Sequence, residues 1–66
     1  MPRMNIEAER ARLGMTKTQL EDALGITDKT YRAYVFDGGP IPSTILEKLR
    51  DLTGKSIDYL LAVNDG

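Results

Sequence analysis

Apolar residues recur at three- and four-residue spacing in five short bursts, each opened by a capping residue or proline or closed by glycine, which predicts five short helices. Asn5 is placed to cap the first, which runs to Leu13 and is closed by Gly14, with Ile6 and Leu13 seven apart on its core side. Thr16 and Gln19 have the spacing of a capping box, and Met15 with Leu20 that of a hydrophobic staple, so the second helix begins near Lys17. Leu20, Ala23 and Leu24 share its apolar face, and Gly25 ends it. Thr27 caps the third helix and Asp28 complements its positive end, while Ile26 and Tyr31 repeat the staple spacing. After Phe36 the run DGGPIP is a loop, since two glycines and two prolines within it disfavour regular structure. Pro42 or Ser43 opens a fourth helix with an inward stripe of Ile45, Leu46, Leu49 and Leu52, stopped by Gly54. Ser56 caps a fifth, in which Ile57, Tyr59, Leu60, Leu61 and Val63 are apolar around more than one face, before a frayed tail of Asn64, Asp65 and Gly66.

The pattern concentrates interest on residues 16–38, two helices joined across a turn of three residues. The third helix has an inward stripe of Tyr31, Tyr34 and Val35 and an outward one of Asp28, Lys29, Arg32 and Ala33. A helix with a polar first turn, standing proud of its neighbour, has the form of a major-groove reader. The same spacing also fits an ordinary corner of two helices with a solvated charged face, and the pattern alone leaves both open.

Composition narrows the chemistry. With 66 residues and 41% hydrophobic content, one small domain over residues 1–66 is expected, and self-association would help it. Neither Cys nor His is present, which removes disulfides, thiolate chemistry, and the commonest metal ligand and general base. Carboxylates alone remain, no cleft-forming pair can be named, and an enzyme, a metal, a cofactor or a small-molecule ligand is not expected. The N-terminus lacks the apolar core of a signal peptide and no run approaches a membrane span, so a cytoplasmic location is expected. A net charge of −1 and a pI near 5.2 argue against gripping nucleic acid by charge alone. Lys17, Lys29 and Arg32 are matched by Glu21, Asp22 and Asp28 within residues 17–36. Arg10 falls on the core side of the first helix and is expected to be at least half buried, in a structural role.

The turn LGIT followed by TDKTY, the loop ending in IPS, and the closing TGKSIDYLL, in this order and spacing, resemble the lambda-repressor-like helix-turn-helix family, the Cro and phage-repressor (XRE) type of transcription regulator. The resemblance runs from Ile6 to Leu61. It implies an all-α fold of five short helices and double-stranded DNA as partner. By position it would set Lys17 and Gln19 toward phosphate and base edges, and Thr27, Asp28, Lys29, Arg32 and Ala33 in the major groove. Thr30 and the loop with Gly38, Gly39, Ser43 and Thr44 would lie on the phosphate backbone, and Tyr31 and Tyr34 would be core. Four positions depart from the family pattern. Glu21 stands where an Ala usually packs against the turn, Val35 replaces a Glu that pairs with an Arg matching Arg10, and Gly38 and Gly39 stand where many relatives carry Lys or Arg. Asp37 or backbone carbonyls are therefore expected to partner Arg10. The surplus apolar face at Ile57, Tyr59, Leu60 and Val63 suggests a homodimer on a palindromic operator. The other reading is a protein-interaction module that keeps the fold without the DNA contacts.

Overall fold

The structure is a computed structural model that describes residues 2–62. Its elements are α1 (Met4–Arg12), α2 (Lys17–Leu24), α3 (Asp28–Val35), α4 (Ser43–Thr53) and α5 (Ile57–Leu61), with no strand among the described residues. Val63 and the tail residues Asn64, Asp65 and Gly66 lie outside the described residues.

Local signals decide most helix ends. Thr16 Oγ1 accepts from Gln19 N at 3.1 Å while Gln19 Oε1 accepts from Thr16 N at 2.8 Å, completing the capping box of α2. Thr27 and Ser56 accept from Thr30 N and Tyr59 N and so cap α3 and α5. Gly25 closes α2 at φ +72°, in the left-handed region that a side chain resists, and this turns the chain into α3 within three residues.

At the first helix the structure differs from the sequence expectation. Arg3, without a side-chain cap, precedes α1, and Asn5 lies inside the first turn, where its Nδ2 donates to the carbonyl of Tyr59 at 2.9 Å. Asn5 thus ties α1 to α5 instead of capping. Leu13 is not core: α1 stops at Arg12, so Leu13 falls on the cap and is 36% exposed.

Ile6, Leu20, Leu24, Tyr31, Val35, Ile45, Leu49 and Leu60 form one buried cluster, with Met15, Ile26, Tyr34, Ile41 and Tyr59 packed against it. Two expected members are displaced by polar residues. Ala23 is exposed, and Glu21 is the buried neighbour of Leu20 and Leu24. On α4 the core follows the four-residue line Ile45, Leu49, Thr53, which leaves Leu52 outside at 38% exposure. Thr53 tolerates burial because its hydroxyl donates to the Leu49 carbonyl at 2.8 Å and accepts from Lys55 N at 3.1 Å. Leu60, assigned from the sequence to a spare apolar face, is 0% exposed and belongs to the core of its own chain.

Polar ties complete the packing of α1. Arg10 is largely buried and meets a backbone carbonyl, as expected, but its acidic partner is Glu7 and not Asp37. Its Nε and Nη2 meet the Glu7 carboxylate at 3.2 and 3.0 Å, and its Nη1 donates to the Met15 carbonyl at 2.7 Å. Tyr31 donates its hydroxyl to the same Glu7 carboxylate, so Glu7, one turn before Arg10, supplies the acid that Val35 cannot. Burial works to raise the Glu7 pKa, yet the hydrogen bonds from Arg10 and Tyr31 outweigh it and hold the carboxyl below its ordinary value of 4.5. The stability this pair contributes is present above that value and lost as pH falls through the lowered one. Arg10→Met, which leaves the half-desolvated Glu7 with Tyr31 alone, should cost about 1.5–3 kcal/mol near neutral pH. Chemical denaturation repeated at acid pH should find that cost shrinking as Glu7 protonates; an equal cost at both pH values would rule out the ion pair as its origin.

Candidate nucleic-acid interface

Tyr31 and Val35 anchor α3 by its inner side, so the opposite side is fixed in orientation and open to solvent. Thr27, Asp28, Lys29 and Arg32 are all exposed on this outer side, and Ala33 is half-buried at its edge. Their chemical states differ. Lys29 takes part in no ion pair among the described residues. Arg32 Nε lies 2.9 Å from Asp28 Oδ2 across one turn, so the acid and base here form one unit rather than two separate groups. Thr27 Oγ1 accepts from Thr30 N at 3.2 Å and donates to Thr30 Oγ1 at 3.0 Å, which commits it to the cap. The Ala33 carbonyl accepts from Gly39 N at 2.9 Å.

The residues expected on phosphate divide in the same way. Lys17 is exposed at the start of α2, its ammonium 5.3 Å from the centre of the Phe36 ring, so it links that start to the end of α3. Gln19 is exposed but its side-chain oxygen is held in the capping box. Thr30 is half-buried, and Ser43 and Thr44 are exposed in the first turn of α4, whose cap Pro42 offers no side-chain acceptor. Gly38 and Gly39 form the turn after α3. A Cβ at Gly39 would stand 3.3 Å from the Ala33 carbonyl oxygen, so a side chain there must displace the loop or the helix end.

Arg3 organises this loop and was not singled out by the sequence pattern. Its backbone N donates to Val35 O at 2.6 Å, and its guanidinium donates to the carbonyls of Tyr34 at 2.7 Å, Gly39 at 2.6 Å and Gly38 at 3.4 Å. A cation therefore backs the neutral Gly38 and Gly39 segment from beneath. These partners lie more than thirty residues away, and no local spacing could have announced them.

A second polar cluster ties α1 to α4 and α5 away from this face. Glu9 accepts from Arg12 at 2.6 Å and from the Tyr59 hydroxyl at 3.2 Å, and Arg12 also donates to the Thr53 carbonyl at 3.0 Å. The Arg12 bond lowers the Glu9 pKa against the opposing effect of burial. No group of residues able to hold a metal ion occurs among the described residues. None of their helices is long and apolar enough to cross a membrane.

Two short helices locked across a glycine turn, the second fixed by a tyrosine and a valine behind and presenting polar groups in front, define a helix-turn-helix unit within a five-helix all-α fold. The model of the helix-turn-helix family of XRE type, to which Cro and phage repressors belong, matches residues 6–60, and the chain belongs to this family of DNA-binding regulators. Its partner class is double-stranded DNA. No curated protein and no solved structure matches the chain at a significant level.

Proposed function

We propose that the chain is a sequence-specific transcription regulator of the small phage-repressor kind, acting in the cytoplasm as one helix-turn-helix domain over residues 1–66. It reads the major groove of a palindromic operator with α3, as a homodimer. The observation that carries this reading is the division of α3 into a buried Tyr31 and Val35 side and an exposed Asp28, Lys29 and Arg32 side. Lys29 and Arg32 can each donate to guanine O6 and N7, and Ala33 can meet a thymine methyl. Lys17, Gln19, Thr30, Gly38, Gly39, Ser43 and Thr44 position the protein on phosphate without specifying sequence.

Size favours two copies. The largest dimension of the chain is 28 Å, short of the roughly 34 Å between successive major-groove segments on one face of a duplex. With Leu60 in the core, the contact between copies is left to the half-exposed Ile57 and Tyr59, with Val63.

The neutral Gly38 and Gly39 loop and the Asp28 partner of Arg32 favour one competing reading, a protein-interaction module with the same fold. Selection of bound duplexes from a random library, followed by sedimentation of the protein on the selected duplex in rising salt, separates the two. A regulator yields a two-half-site sequence bound by two protomers, with affinity falling steeply as salt rises. Absence of any salt-sensitive duplex binding would leave the interaction module.

A further inference from the structure

The loop that follows α3 lacks the charge that a place on the duplex requires. Residues 37–43 read DGGPIPS, with Asp37 as their one ionisable group, so the segment alone would turn a negative charge toward phosphate. The helix before it adds to the difficulty, because its last four carbonyls have no partners inside it and carry the negative end of its dipole. In α3 these belong to Arg32, Ala33, Tyr34 and Val35. The Arg32 carbonyl accepts from Phe36 N and Asp37 N, and the Ala33 carbonyl from Gly39 N. The other two go to Arg3: Val35 O accepts from its backbone N at 2.6 Å, and Tyr34 O from its Nη1 at 2.7 Å. The same Nη1 donates to the Gly39 carbonyl at 2.6 Å. One guanidinium therefore gathers carbonyls from both the helix end and the loop.

We infer that Arg3 is the cation of the phosphate-contacting surface at Gly38 and Gly39, and that its Nη2 donates to a phosphate oxygen there. The inference rests on the reading of this loop as lying on the DNA backbone. It makes a residue ahead of α1, outside the helix-turn-helix itself, part of the DNA-binding surface.

Three features of the guanidinium support this role. No carboxylate shares it, since Arg3 takes part in no ion pair among the described residues, so its charge is not cancelled within the fold. Its nitrogens are unequal: Nη1 has both protons committed and Nε is buried, whereas Nη2 makes one long contact at the surface, 3.4 Å from the Gly38 carbonyl, and keeps a proton to donate outward. Beside it Gly38 is exposed, and its N–H meets no backbone acceptor among the described residues. The loop also resists a cation of its own at these two positions. A Cβ at Gly39 would stand 3.3 Å from the Ala33 carbonyl oxygen, and Gly38 has φ +71°, where a side chain is strained. The tight return of the chain onto the end of α3 thus shuts out Lys and Arg there, and the charge has to come from elsewhere in the sequence.

The test compares the wild type, Arg3→Gln and Arg3→Lys on the duplex selected from a random library and on its single-base variants, over a range of salt concentrations. Arg3→Gln keeps a donor for the carbonyls and removes the charge. It should weaken binding to all these duplexes alike, roughly tenfold per protomer at low salt, and flatten the salt dependence by about one unit per protomer. Arg3→Lys keeps the charge and loses the planar fork, so it should bind more weakly than the wild type with the salt slope retained. A residue that only holds the fold would lower the stability of both variants and leave both slopes alone. A Gln variant with the wild-type slope, or a Lys variant as flat as the Gln variant, would therefore overturn the inference. Should a variant fail to fold, the wild type answers by itself: the NMR signals of the Arg3 guanidinium should shift when the duplex is added, and signals that stay at their free positions in the bound protein would overturn the contact. Failure of the wild type to bind any duplex would instead remove the regulator reading, and the phosphate role of Arg3 with it.

Discussion

Leu60→Ala is expected to remove most of the stability of this protein. Leu60 is fully buried, and it belongs to α5, a helix of five residues that is too short to persist by its own hydrogen bonds. Beyond the Ser56 cap, tertiary contacts keep α5 in place: Leu60 in the core, the Asn5 amide on the Tyr59 carbonyl, and the Tyr59 hydroxyl on Glu9. Truncating a buried leucine costs about 2–5 kcal/mol. A chain of 66 residues has roughly 3–10 kcal/mol in total. Ile57→Ala, at a half-buried position on the same helix, should cost clearly less. Denaturant unfolding at two protein concentrations tests the assignment of Leu60 to the core of one chain. If Leu60 instead served an interface between copies, the loss would depend on protein concentration, and a concentration-dependent loss would move it back there.

The ends of α2 and the starts of α3 and α5 were legible in the sequence because each is decided within four or five residues: the Thr16 and Gln19 box, the Gly25 turn, and the Thr27 and Ser56 caps all fall where expected. The inner and outer sides of α3 were legible for the same reason, since Tyr31 and Val35 fix one by helical spacing and the other is its complement. What spacing cannot supply is the position of neighbouring helices. Whether Leu52 or Thr53 is covered, and whether Leu13 is reached by the core, depends on where α1 and α5 pack, so the edges of the apolar stripes were misplaced. Asn5 and Arg3 were misread or passed over because their hydrogen bonds join residues more than thirty positions apart. Glu7 is a different case. It is three residues before Arg10, and a pair at that spacing on one helix was open to inspection. The family resemblance drew attention to the missing acid at position 35 and away from the nearer one. The four-residue spacing of Asp28 and Arg32 carries the same signal.

Arg32→Ala should give the largest loss of DNA affinity, and the pairing with Asp28 explains why. In the intact protein the Asp28 carboxylate is neutralised by Arg32 at 2.9 Å before any duplex arrives. Removing Arg32 takes away a donor to guanine and also leaves Asp28 exposed as an unpaired negative charge facing phosphate. Loss of the base contact alone costs about 1–3 kcal/mol on the preferred site and relaxes preference at one base pair per half-site, and the freed carboxylate adds to it. Lys29→Ala, which frees no acid, should stay within that range and relax a different position. Lys17→Ala acts otherwise, because its ammonium lies over Phe36 at the start of α2, away from the outer side of α3. It should weaken binding to all sequences alike and flatten the salt dependence by about one unit per protomer. Affinity for the selected duplex and its single-base variants, measured at several salt concentrations for the three proteins, gives all of these quantities together. Should all three bind as the wild type does, α2 and α3 do not read DNA, and the exposed side of α3 is a surface for a protein partner.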